Sequence, residues 1–236
     1  MPKAETGLLP SIKSTEKIQV KNSRGVIQCI SAHAFQKLFG VAYTSRLLID
    51  KNCPSSVLNP FEFVLRKVPS EARRAYFEEQ LVNLKDQDPL AGAAMKEWLY
   101  GEQLRRAYIA NIYIAKINDS VGYGAFAGEN LRPGQMLGEY TGLARAWKTS
   151  DCSNTYIFNY VQNAVIDACK RGNITRFINH SEHAANARYM RVMLEGIEHV
   201  ILLAQKHISK DEQILFNYGS DYWKNRNLPQ ELSCKS

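Results

Sequence analysis

The period of the apolar residues changes after Arg106, and that change limits what this chain can fold into. Residues 110–117, 136–140, 155–160 and 164–168 each read as a short strand. Residues 189–194 and 197–204 flank Glu195-Gly196, a hairpin signal in which Gly supplies a positive φ. Residues 213–216 form a last short strand. Many short strands with only brief helical segments predict an irregular, mostly β domain.

The leading part reads differently. Residues 1–16 are polar. Residues 19–30 hold a short hairpin turned by Asn22-Ser23-Arg24-Gly25. Ser31 caps a short helix over 32–39, and Gly40 is a natural residue to end it. Residues 50–60 read as a loop. Ser70 caps a helix over 71–85. Asp88-Pro89 opens another, in which Ala91, Ala94, Met95, Trp98 and Leu99 form one amphipathic stripe for core packing or, failing that, a dimer or partner surface. The expected organisation is a mainly helical region over 1–106, a β-rich domain over 107–223 and a short tail over 224–236.

Composition narrows the function classes. The net charge is +7, compatible with acidic partners such as nucleic acid. No long run of basic residues supports direct nucleic-acid binding. The 5 Cys are scattered, without metal-ligand spacing, and read as reduced thiols. No apolar stretch is long enough for a membrane span, and no secretory h-region opens the sequence, so cytoplasmic synthesis is expected.

Three features carry candidate chemistry. Gly122-Tyr123-Gly124-Ala125-Phe126-Ala127 matches the glycine pattern of dinucleotide-binding loops, but Gly128 and Pro133-Gly134 leave no room for the helix such a loop must open. What survives is a close approach of the backbone to another ligand, which glycine permits, or a plain turn. Asn179-His180-Ser181 offers Ser181 as a nucleophile, yet adjacent His and Ser are no triad, and no G-x-S-x-G elbow occurs. His180 alone reads as a hydrogen-bonded structural residue. Tyr140, Tyr156 and Tyr218 each fall at a strand end; Gly142 and Gly219 lie close after two of them, and the three together predict a tyrosine-lined pocket.

Taken in order, these pieces resemble the SET domain of protein lysine methyltransferases. The matching stretches are Gly122-Tyr123-Gly124, Gly138-Glu139-Tyr140-Thr141-Gly142, Asn154-Thr155-Tyr156-Ile157-Phe158, Gly172 to Ser181 preceded by Asp167-Ala168, and Asp211 to Gly219. The resemblance spans about residues 110–223. It implies an α+β, mostly β SET fold of small sheets, with the Asn-His segment and the terminal Tyr segment meeting in a pseudoknot-like crossing. It implies S-adenosylmethionine as methyl donor, no metal, and a narrow channel for the substrate lysine. By position Gly122, Tyr123, Gly124, Tyr156, Asn179, His180 and Tyr218 are similar to donor contacts. Tyr218 resembles the family's catalytic Tyr, with Tyr140 beside it. Phe216, Tyr140, Tyr222 and Trp223 would line or close the channel, and Arg176 and Phe177 would shape the cleft or pack the crossing.

The sequence departs from the family in places. Asn217 stands where Asp is usual, and the flanking Cys-rich zinc segments are absent. Tyr222 and Trp223, or a partner subunit in a homodimer, must then close the channel. Zinc-free flanks and the leading region are similar to compact bacterial SET proteins of chlamydia-like type, which implies delivery into a host cell and action on host chromatin. The implied substrate is a histone or a bacterial histone-like protein; the alternatives are a non-histone substrate, or a non-catalytic SET-like module that binds protein, against which Tyr218, Tyr156 and Asn179-His180 argue. A basic enzyme needs an acidic patch for a histone, and Glu129, Glu139 and Glu182 are the candidates. Phe216 lacks a hydroxyl to hold channel water, which implies di- or trimethylation.

Overall fold

A computed structural model describes residues 18–53, 89–148, 154–161 and 163–223. Its elements in chain order are β1 (Ile18–Lys21), β2 (Ile27–Ile30), α1 (Ala32–Phe39), β3 (Ala42–Tyr43), β4 (Leu48–Ile49), α2 (Pro89–Arg105), β5 (Ile112–Asn118), β6 (Gly122–Ala127), β7 (Met136–Glu139), β8 (Leu143–Ala146), β9 (Ile157–Asn159), β10 (Ala164–Asp167), β11 (Arg171–Gly172), a 3-10 turn (Ile174–Phe177), β12 (Asn179–His180), β13 (Ala187–Leu194), β14 (Ile197–Ala204), β15 (Leu215–Phe216) and α3 (Ser220–Trp223). The expected helix over 71–85, the Asp88 cap and the tail over 224–236 lie outside the described residues.

Four small sheets result, ordered β2-β1-β5-β6, β4-β8-β10-β9, β11-β3 and β12-β15-β13-β14-β7. Two hairpins follow from local turn chemistry. Asn22 Oδ1 accepts the Arg24 and Val26 amides, and Gly25 takes φ 79° to close β1 on β2. Glu195 and Gly196 both take positive φ, 53° and 77°, and join β13 to β14. The apolar run at the end of β14 is explained by burial on both faces. Val200, Leu202 and Ala204 enter the main core, while Ile201 and Leu203 pack with Met136, Val192, Leu194 and Leu104 of α2.

Three expectations are refined by the structure. The first concerns the region over 1–106, whose described residues add strands to the expected helices and pair with the domain that follows. Among its described residues are four strands, and β1, β3 and β4 each run parallel to a strand of the following domain: β5, β11 and β8. Each thereby satisfies backbone groups that would otherwise stand open at a sheet edge.

The second concerns the face of α2. Ala94 and Leu104 are buried, but Trp98 is 45% and Leu99 47% exposed. The helix docks through Leu104 and Tyr100, with Gly101 opposite Leu194, whose Cδ1 lies an ordinary 3.6 Å from where a Gly101 Cβ would stand. Leu104 and Tyr100 meet the sheet, and Trp98 and Leu99 turn outward. The third concerns residues 122–127, which form strand β6 rather than a turn. Ala125 and Ala127 enter the core, while Phe126 stacks on Tyr113 on the other side at 5.6 Å.

Two glycine substitutions test the packing. A Cβ on Gly142 would stand 2.6 Å from the Asp167 carbonyl oxygen, backbone that cannot step aside. Gly142→Ala is expected to lower stability in urea unfolding by about 1–3 kcal/mol. Gly92, in α2, has nothing within 4 Å of its Cβ position. Gly92→Ala is expected to raise stability by about 0.5–1 kcal/mol in the same assay.

Candidate active site

The site is built on the segment from Arg171 to Ser181. Asn173 is fully buried and caps the 3-10 turn. Its Oδ1 accepts the Thr175 amide at 3.0 Å, and its Nδ2 donates to the Glu139 carbonyl at 2.9 Å. Thr175 Oγ1 reaches the same carbonyl at 3.1 Å. The turn is thereby fastened to the end of β7, just before Tyr140. The segment then enters β12, which runs parallel to β15 with Asn179 opposite Leu215 and His180 opposite Phe216.

That pairing brings the two polar-aromatic clusters together. The Tyr218 amide donates to His180 Nδ1 at 3.1 Å, and the Tyr218 hydroxyl donates to the Ile178 carbonyl at 2.8 Å. With Nδ1 an acceptor, the proton of a neutral His180 sits on Nε2. Around the Tyr218 ring stand Phe216 at 4.6 Å, Tyr222 at 4.8 Å, His180 at 5.2 Å and Trp223, parallel, at 6.2 Å.

A second group faces it. Tyr140 donates to the Tyr156 carbonyl at 3.1 Å, and Tyr222 donates to the Thr155 carbonyl at 2.7 Å. The Arg176 guanidinium lies 3.8 Å from the centre of the Tyr156 ring while its Nε donates to the Ala168 carbonyl. Arg176 therefore both packs the crossing and supports one wall of the site; Phe177 instead joins an aromatic cluster with Phe35 and Phe39.

Burial pushes the Tyr218 hydroxyl well above the ordinary phenol range, and the nearby phenols of Tyr140, Tyr222 and Tyr156 push the same way. Tyr140 is raised too, mainly by burial, with Arg176 pulling against it. Such hydroxyls remain protonated at neutral pH and act as hydrogen-bonding groups rather than bases.

The glycine segment lies at the margin. The Tyr123 carbonyl accepts Asn179 Nδ2 at 3.0 Å. Gly122 takes φ 81° with open space where a Cβ would stand. At Gly124 a Cβ would meet side chains already in place, 2.7 Å from Ile117 Cδ1 and 2.8 Å from Gln213 Nε2, so only glycine lets the backbone lie this close to them. Gln213 Nε2 is a buried donor that meets no acceptor in the structure.

Other candidates separate from the site. Ser181 is fully buried and its Oγ accepts the Ala184 amide at 2.8 Å, an arrangement that serves a turn rather than nucleophilic attack. Glu139 does not contribute to an acidic patch. It is 3% exposed, with Oε1 2.6 Å from His199 Nδ1, whereas Glu129 and Glu182 are on the surface. Asn217 Oδ1 accepts the Gly219 amide at 2.8 Å, a bond the amide oxygen makes as well as a carboxylate would. Among the described residues no group of three His, Cys, Asp or Glu side chains is placed to hold a metal ion.

Two residues of the site were not anticipated. Asn186, fully buried, accepts the Leu215 amide and donates to the Gln213 carbonyl, fixing the approach to β15. Its sequence signal was a lone amide among alanines just before a strand. Arg145 donates through Nε and NH2 to Asp167 Oδ2; Asp167 Oδ1 in turn accepts Asn154 Nδ2, and Asn154 Oδ1 accepts the Tyr156 amide. That chain of bonds holds Tyr156 in place, and only the strand pairing of β8 with β10 brings its members together.

The order and pairing of these elements coincide with a family match over residues 122–219. Those residues form a SET domain. Relatives of the SET domain include the H3 lysine-4 specific histone-lysine N-methyltransferase of Aspergillus oryzae, 32% identical over 41% of this chain and 8% of its own length. A histone H3-lysine(4) N-trimethyltransferase of Arabidopsis thaliana is 36% identical over 48% of this chain and 11% of its own length. The chain thus spans about a tenth of the length of these relatives. The Chaetomium thermophilum polycomb repressive complex 2 overlays 56% of this chain and 19% of its own at 24% identity with a TM-score of 0.46, too loose an overlay to carry an argument.

Burial raises Tyr140, Tyr160 and Tyr218 above the unfolded value of about 10. Below that value folded and unfolded chains both hold these protons. Above it the unfolded chain releases protons that the folded chain retains, so stability falls as pH rises. Phenolate absorbance is expected to show these tyrosines ionising only as tertiary structure is lost. Ionisation of all 12 Tyr in the folded protein near pH 10 would contradict their burial.

Proposed function

We propose that this chain is a protein-lysine N-methyltransferase using S-adenosylmethionine, acting on a basic chromatin protein of the histone or histone-like kind. The observation that carries the reading is the convergence of four phenols, Tyr140, Tyr156, Tyr218 and Tyr222, where β12 crosses β15. The names of the relatives support the reaction and the histone class.

The donor, when bound, supplies an electrophilic methyl group on a cationic sulfur. Gly122, Tyr123, Gly124, Tyr156, Asn179 and His180 would hold it, together with the Tyr218 end of the crossing. The fit rests on two observations: open space at Gly122, and the buried Gln213 amide nitrogen that lacks an acceptor. The residues of the chain then align and desolvate. A lysine amine must arrive neutral, against an unperturbed pKa of about 10.4. Walls of Phe216, Tyr218, Tyr222 and Trp223 disfavour the ammonium and lower that pKa. The Tyr218 hydroxyl has its proton on the Ile178 carbonyl, so its lone pairs remain to accept from the amine and aim it. Phe216, buried at 4.6 Å from Tyr218, brings no hydroxyl to hold a water beside the amine, which favours di- or trimethylation.

Incubation with labelled donor and histones is the decisive assay. Tyr218→Phe is expected to lower turnover by about 100-fold or more while donor binding persists. Label transferred equally well by that variant would remove Tyr218 from the reaction. Phe216→Tyr is expected to shift the product, read by mass spectrometry, toward monomethyl-lysine; a wild-type product that stays monomethyl at long incubation counts against the role given to Phe216.

A further inference from the structure

Residues 31–49 lie outside the matched SET stretch, yet their aromatic side chains reach its donor edge. Ser31 Oγ accepts the Ala34 amide at 3.1 Å to start α1, and Gly40 ends it at φ 68°. A helix this short has no stability of its own and must be held by packing. His33, Lys37 and Leu38 are exposed; Phe35 is fully buried, and Phe39, one turn on, is partly buried. The Phe39 ring lies 4.9 Å from Phe35, 4.9 Å from Phe177 and 5.0 Å from Tyr123, the last edge to face at 90°. The chain then stays strapped across the domain. β3 runs beside β11, Thr141 Oγ1 donates to the Thr44 carbonyl at 2.8 Å, and β4 runs beside β8.

Tyr123 stands between two glycines in β6, where pairing with Lys116 of β5 holds one side of the strand and its neighbours offer no side chains to hold it on the other. On the open edge of β6 its ring adds a further hold, and among the described residues its aromatic partners are Phe39 and, at 6.4 Å, Phe177. Its carbonyl is the acceptor for Asn179 Nδ2. We propose that Phe39 is a positioning residue for the methyl donor: by bracing the Tyr123 ring it fixes the Tyr123 carbonyl and the Asn179 amide in the arrangement the donor meets. The leading segment is on this account a working part of the site. The proposal rests on the donor-site reading of Gly122, Tyr123, Gly124 and Asn179.

The test is calorimetric titration of the full chain with S-adenosylmethionine, with thermal unfolding of each variant as a control and donor KM and kcat alongside. Phe39→Ala is expected to raise Kd about tenfold, the scale of one lost aromatic contact. Phe39→Tyr, which keeps the ring edge, and Leu38→Ala, on the exposed face, are expected to stay within about twofold of wild type. The loss should appear in KM for the donor, with kcat at saturating donor unchanged. Wild-type affinity in a folded Phe39→Ala overturns the role of Phe39, as does a loss that Phe39→Tyr does not restore. Should Phe39→Ala fail to fold, Phe39→Leu keeps most of the volume without the ring, and an unchanged Kd there is equally fatal. A wild-type chain that does not bind S-adenosylmethionine removes the donor-site reading and this proposal with it. Tight wild-type binding together with unaltered variant binding removes this proposal alone.

Discussion

The rest of the structure depends on one short crossing, where β12 and β15 pair in parallel. Each strand contributes only two residues, too few to be stable as an isolated pair. The crossing holds because side chains complete the backbone bonding. His180 Nδ1 accepts the Tyr218 amide, and Asn186 uses both ends of its amide on Leu215 and Gln213. Buried this far from water, each of these groups would be costly to leave unpaired. The same bonds that let the chain cross itself also set the Tyr218 hydroxyl among its neighbours, so fold and site share one set of contacts.

The phenols around that crossing are held in a consistent way. Tyr218, Tyr140 and Tyr222 each give their proton to a backbone carbonyl, at Ile178, Tyr156 and Thr155. A hydroxyl committed in this manner keeps its lone pairs as acceptors, and burial raises the Tyr218 and Tyr140 hydroxyls above the ordinary phenol range. The walls are therefore aromatic and neutral, edged with carbonyl oxygens, an environment suited to a desolvated amine and to cationic carbon–sulfur chemistry.

The leading segment completes what the domain leaves open. β1, β3 and β4 each cover an edge, and α1 delivers Phe35 and Phe39 to the far side of the crossing. Strand pairing and aromatic packing drawn from earlier residues of the chain brace the domain.

Much of this was legible in the residues alone. The hairpin at Asn22 to Gly25, the cap at Ser31, the left-handed Gly40 and the turn at Glu195-Gly196 follow from preferences of a few adjacent residues, and the structure has all of them. The order of the glycine, tyrosine and Asn-His motifs pointed to the fold by resemblance, and the structure has the crossing which that resemblance implied. What the sequence left open was which surfaces meet. Periodicity gave α2 an apolar face at Trp98 and Leu99, yet it docks through Leu104 and Tyr100 against Met136, Val192 and Leu194. Glu139 looked like a surface acid until the partner strand brought His199 beside it. Nothing near Phe39 in sequence points to Tyr123. Turns and caps are settled by short-range sterics and hydrogen bonds, so the sequence determined them directly. The partner of a sheet edge, a helix face or a ring is chosen by long-range packing, and only the tertiary structure decided those.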